Sequence, residues 1–202
     1  MKAKRFVLSI VILVLIVAVL WLLNDKFKVV SLGGPKTPDY NYTIGEFKKE
    51  DLGIFDIKTG KTIYLGMKQE EVEKILGNGE EISGMIKIHE YPGKLQIKYR
   101  LDQVCAIRIG DDTDGDRYLT PRNISKQNNQ GEVKLVYGDP SSENSEIVDY
   151  FINKDNETYR LIDSLPSDRD KRTTTFIIDF TYGEGRKLNI YIMDYLFAQT
   201  FQ

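Results

Sequence analysis

The stretch Met85–Gly110, MIKIHEYPGKLQIKYRLDQVCAIRIG, decides how this chain folds. Leu95, Ile97 and Tyr99 alternate with Gln96, Lys98 and Arg100, the period of a half-buried strand. Pro92-Gly93 before this run and Leu101-Asp102 after it are turn positions. The spacing therefore predicts three antiparallel strands, MIKIHEY, KLQIKYR and QVCAIRIG, joined as a meander.

Working outward, Met67–Leu76 (MKQEEVEKIL) has Val72, Ile75 and Leu76 on one helical face and glutamates on the other. Lys68 falls at the N-cap, Glu71 at the third helical position and Gly77 just past the end. The run IFDIKTGKTIY (54–64) reads as a strand or hairpin leading into this helix. Beyond residue 115 the pattern returns in weaker form. Gln130–Tyr137 is a short helix capped by Asn129, with Gly138 where Gly77 stands in the first copy. The strand candidates EIVDYFI, TYRLIDS, TTTFIIDFTY and RKLNIYIM follow. Helix first and strands after, twice over, predicts an α+β architecture of two helix-plus-antiparallel-sheet repeats. Their bounds are 61–115 and 116–202.

Residues Phe6–Leu23, FVLSIVILVLIVAVLWLL, carry no charge. At 1.5 Å per residue such a run spans about 27 Å as a helix, enough for a hydrocarbon core. Lys2, Lys4 and Arg5 precede it, which favours a cytoplasmic N-terminus. Bulky residues stand where a signal peptidase would need small ones, so an uncleaved anchor is favoured over a signal peptide. The expectation is a single-pass membrane protein. Residues 1–30 form a cytoplasmic stub and transmembrane anchor. Residues 31–60 form a linker, SLGGPKTP, and a leading strand. The globular remainder lies outside the cytoplasm.

The chain of 202 residues is 41% hydrophobic and 29% charged, a composition that supports a packed core. Its formal net charge is −2, and setting residues 1–30 aside makes the remainder roughly −6. That balance argues against a nucleic-acid partner. One Cys and one His exclude an intrachain disulfide and leave no basis for a multi-Cys or His-rich metal centre.

The segment Ile63–Gly77, IYLGMKQEEVEKILG, resembles the opening motif of SmpA/BamE-like repeats, a fold shared with the β-lactamase inhibitory protein. Lys68 stands where that motif usually has Ser or Thr. In the second copy Gln127-Asn128 replace its Gly-Met pair, while Glu132, Val133 and Gly138 keep it. The resemblance implies a binding scaffold of tandem repeats that presents a curved sheet to a protein partner. The known outer-membrane members are lipoproteins, and the only Cys here, Cys105, lies far from the anchor.

Alternation assigns Gln96, Lys98 and Arg100 to the open face of the sheet, with Lys87, His89, Tyr91 and Arg108 beside them. Lys87, His89, Tyr91, Lys98, Arg100 and Arg108 thus form the candidate partner-binding patch. An ordinary solvated face is the competing reading. Asp111–Asp116 (DDTDGD) spaces carboxylates as a calcium loop does, but Arg117 and Asn123 stand where an EF-hand needs Gly and Glu. A solvated acidic turn is favoured, and no metal, cofactor or catalytic residue is assigned. Cys105 reads as a small buried hydrophobe.

These readings give a membrane-tethered, extracytoplasmic binding module that engages an envelope protein or an anionic polymer, with no enzymatic activity. The alternatives are an envelope hydrolase working through paired carboxylates, which requires a cleft with facing Asp or Glu side chains, and a structural subunit of a membrane complex.

Overall fold

A computed structural model describes residues 38–82, 88–183 and 188–198. After a 3-10 turn at Lys49–Leu52, strands β1 (Gly53–Asp56) and β2 (Lys61–Tyr64) form a hairpin, followed by helix α1 (Gln69–Leu76). Strands β3 (Glu80–Glu81), β4 (Ile88–Tyr91), β5 (Leu95–Arg100) and β6 (Gln103–Ile109) come next, then the short β7 (Tyr118–Leu119). Helix α2 (Gln130–Tyr137) precedes β8 (Ser142–Glu143), β9 (Ile147–Asp155) and β10 (Thr158–Ile162). Helix α3 (Arg169–Arg172), β11 (Thr175–Tyr182), β12 (Leu188–Asp194) and helix α4 (Tyr195–Ala198) complete the order.

Nine strands build one antiparallel sheet in the order β10-β9-β11-β12-β6-β5-β4-β3, with β8 on β9. A separate small sheet runs β2-β1-β7. The join at the middle of the long sheet is β6 on β12, where Ile107 pairs with Ile192 and Arg108 with Tyr191.

These findings correct three expectations. Both long helices have eight residues, about 12 Å each, and the described chain is mostly antiparallel strand. The strands that follow α1 and α2 merge into one sheet. A mostly-β unit with short helices on it therefore replaces the α+β description of a transmembrane helix followed by two repeats. Among the described residues no helix is long and apolar enough to cross a membrane. That overturns the single-pass membrane assignment and the extracytoplasmic location drawn from it. The apolar run 6–23 itself lies outside the described residues.

One face of the long sheet is closed. Ile97 and Ile107 from its first part, Tyr150, Ile178, Phe180, Ile190 and Ile192 from its second, Val72 of α1 and Val133 of α2 share one core, each at most 1% exposed. Ile54 and Ile63 of the small sheet join them. The two helices start differently. Asn129 accepts the Glu132 N–H at 3.1 Å while Glu132 accepts the Asn129 N–H at 2.8 Å, a reciprocal cap. Lys68 gives its N–H to Glu71 at 2.9 Å, but its ammonium has no lone pair to return. Both helices end at a glycine with positive φ, Gly77 at +86° and Gly138 at +90°. The β5–β6 turn puts Leu101 and Asp102 at φ +50° and +65°, so two non-glycine residues take a left-handed hairpin turn.

The closed side also holds a buried ion pair. The guanidinium of Arg122 donates from Nε to Asp51 at 2.7 Å and from a terminal nitrogen at 2.9 Å, with both side chains at 0% exposure. The same group donates to the carbonyls of Val136 and Glu46. The rings of Tyr42, Phe47 and Tyr137 lie 4.7–5.0 Å from it. One cation thus fastens the segment before β1 to the C-terminal end of α2.

Candidate functional site

The opposite face of the long sheet is open, and its side chains fall into rows because paired residues on adjacent strands point the same way. One row crosses the sheet as Asp149, Asp179, Tyr191, Arg108 and Gln96, from β9 to β5. The next row reads Phe151, Ile177, Met193, Ala106, Lys98 and Ile88. Both rows line a cavity of about 530 Å³, walled on one side by Leu165 and by Tyr195 and Phe197 of α4.

The polar row carries opposite charges at its two ends. Asp149 and Asp179 stand directly across from each other on β9 and β11. Side chains so paired have Cβ atoms about 4.5–5.5 Å apart, and like charges there repel. Asp179 accepts a hydrogen bond from Thr181 Oγ1 at 2.5 Å. The Asp149 carboxyl has no hydrogen-bond or ion-pair partner among the described residues. Burial, and then the neighbouring Asp179 charge, push Asp149 up to about 7. Burial also raises Asp179, against the Thr181 hydrogen bond that lowers it. At the other end Arg108 donates to Gln96 Oε1 at 3.0 Å and lies 5.8 Å from the Tyr191 ring. Lys98 sits 4.5 Å from the Phe197 ring, and burial lowers its ammonium below the ordinary lysine value.

The six residues of the expected patch do not stay together. Lys98 and Arg108 line the cleft. Arg100 follows a bulge between Lys98 and Tyr99 and is held by Asp194 through two hydrogen bonds of 3.0 and 2.7 Å. His89 and Tyr91 belong to the closed side, because they pair with Ile97 and Leu95 of the core. Tyr91 is 2% exposed and its hydroxyl meets that of Tyr99 at 2.6 Å, while His89 stands edge-on to the Tyr99 ring at 5.2 Å. Lys87 lies outside the described residues. The register explains the correction: the turn at residues 92–94 pairs Tyr91 with Leu95, and a one-residue difference in register exchanges the two faces.

The acidic loop is divided among separate partners. Asp112 faces Lys94 at 3.8 Å, Asp114 accepts the Asp116 N–H at 3.1 Å, and Lys126 donates to the Asp111 carbonyl at 3.0 Å. Cys105 is buried at the β5–β6 bulge, and burial pushes its thiol up to about 11, which makes it a poor nucleophile.

Reading the sequence for sites missed Asp149, Asp179, Tyr191, Met193 and Phe197. A signal was present for the first two: each aspartate interrupts an apolar strand, IVDYF and IIDFT. No family model, no curated protein and no solved structure matches this chain. The resemblance to SmpA/BamE-like repeats therefore rests on Ile63–Gly77 and its weaker second copy alone.

Proposed function

We propose that this chain is a binding module that takes a small amphiphilic molecule into the cleft on the open face of its long sheet. The observation that carries this reading is a cavity of about 530 Å³ in which an apolar row runs beside a polar one. Small-molecule sites typically measure about 300–1,000 Å³, with mostly apolar linings and a few polar groups that fix orientation. Phe151, Ile177, Met193 and Phe197 supply the apolar surface, and the row from Asp149 to Gln96 supplies the polar groups. An anionic polymer suits this face less well. Arg100 is engaged by Asp194, Arg108 by Gln96 and Lys98 by Phe197, and two aspartates share the surface.

Titrating the full chain with octan-1-ol, followed by ligand-observed NMR, tests the reading. Saturable binding is expected, and Met193→Trp, which fills the cleft, is expected to abolish it while the melting temperature holds. Undiminished binding by folded Met193→Trp would remove the cleft from consideration.

A second reading is a hydrolase acting through Asp149 and Asp179. Their opposition across adjacent strands supports it, since retaining glycosidases hold two carboxyl groups about 5–5.5 Å apart. Turnover of a chromogenic glycoside that vanishes in both Asp149→Asn and Asp179→Asn would establish it. No turnover by the unaltered chain would leave binding as the function.

A further inference from the structure

We propose that the ligand of this cleft is a cationic amphiphile, whose single organic cation sits between Asp149 and Asp179 and whose apolar body lies over Phe151, Ile177 and Met193. The inference rests on the reading of the cleft as a binding site and names the chemistry of its occupant.

Two carboxylates face each other across adjacent strands at one end of the cavity, and no cationic side chain among the described residues forms an ion pair with either. On the same row the nearest cation is Arg108. It stands two strands from Asp179, about 10 Å at the usual spacing between strands, and Gln96 already holds it. Among the described residues the acidic end is therefore uncompensated. A single positive group placed there relieves the repulsion of the pair and gives the bare Asp149 carboxyl a donor.

The second observation is independent of the two acids. Asn189 lies on the same face, two residues along β12 from Tyr191 and paired with Thr181. It is 8% exposed, and its Oδ1 has no hydrogen-bond partner. Its Nδ2 donates to Asp111 at 3.5 Å, so the bare acceptor stands on the strand next to Asp179, diagonal to that carboxylate.

The apolar surroundings decide which cation fits. Calcium takes six to eight oxygen ligands, and magnesium keeps several waters. Two carboxylates beside Phe151 and Ile177 offer neither set, and the described residues contain no cluster of three or more His, Cys, Asp or Glu able to hold a metal ion. An alkyl- or arylammonium brings its own donors, and its body covers the apolar row that water would otherwise wet. A fatty acid would set its carboxylate against Asp149 and Asp179, or lie reversed with its head at Arg108.

The test compares octylammonium, octan-1-ol and octanoate on the full chain at about pH 8, where a primary amine is charged. Octylammonium is expected to bind at least about tenfold more tightly than octan-1-ol, and Asp149→Asn/Asp179→Asn to bring the two within about twofold. That narrowing should come from weaker octylammonium binding, with the double variant still folded by its thermal melt. If octan-1-ol or octanoate binds the unaltered chain as well as octylammonium does, the cation assignment falls and the cleft stands. The same holds if the double variant keeps the preference for octylammonium. If none of the three binds, the cleft reading itself falls.

Discussion

Asp51 on the closed side is buried and Asp149 on the open side is half-buried, and they meet opposite surroundings. Asp51 faces a guanidinium that donates twice to it and is boxed in by three aromatic rings. Asp149 faces another carboxylate, with Tyr150 and Val148 turned away from it into the core. A buried charge matched by its partner belongs to the architecture. A half-buried charge matched by its own sign is a demand that something else must meet. The contrast separates the side of the sheet that holds the protein together from the side that is open for use.

The largest effect is expected from removing the cation on the closed side. Arg122→Met strands the Asp51 charge at 0% exposure. Guanidinium unfolding should show a loss of about 3–5 kcal/mol. A loss below about 1 kcal/mol would mean that the pair behaves like a surface contact.

The Asp56–Arg117 pair is an intermediate case, with the carboxylate fully buried and the guanidinium at 12% exposure. Arg117→Met should cost about 1.5–3 kcal/mol in the same measurement. Burial works to raise Asp56, but hydrogen bonds from Arg117 and its neighbours outweigh it and hold the carboxyl below its ordinary value. A depressed carboxyl stabilises the fold above the unfolded-state value and loses that contribution as pH falls through the folded one. Unfolding in acid should therefore begin at higher pH in Arg117→Met.

Asp149 carries the opposite sign. Its folded value, about 7, lies above the unfolded 3.8, so the native state holds the proton more tightly between them. Stability then falls as pH rises across that window and levels off above it. Asp149→Asn should flatten that slope. At about pH 8 it should raise stability by on the order of 2 kcal/mol, allowing for partial solvent screening, and near pH 4 it should change little. Thermal melts across this range would decide the matter, and an unchanged slope would mean that the carboxyl is solvated.

The smallest effect belongs to Arg100, whose bridge to Asp194 leaves the arginine side chain 47% exposed. Arg100→Ala should change stability by less than about 1 kcal/mol. Together the three arginines grade ion pairs by burial, and Asp149 forms no such pair among the described residues.

Much of the local structure was legible in the sequence. The helix at Gln69–Leu76 and the strand at Leu95–Arg100 fall where periodicity puts them, because both patterns are short and self-contained. The pairing of β6 with β12 was not legible, since no local pattern records which strands meet across more than eighty residues of chain. The cleft needs that pairing, as Tyr191 and Arg108 become neighbours only through it. Alternation extended through a turn places His89 and Tyr91 on the wrong face, whereas pairing outward from Pro92-Gly93 gives the observed register. The aspartates of IVDYF and IIDFT were visible as charges inside apolar runs. Their opposition depends on β9 lying beside β11 with β10 displaced to the edge.

Among the described residues the long sheet ends in two borders, and their composition bears on self-association. Unpaired strand edges are templates for another chain. One border is β3, only Glu80 and Glu81, both exposed, so an approaching strand meets adjacent carboxylates on a short ledge. The other is β10, whose outer side is already bridged at Tyr159 by Phe47, with the two-residue β8 beside it on β9. Acid at one border and a bridge at the other leave an approaching strand little unpaired backbone to add to.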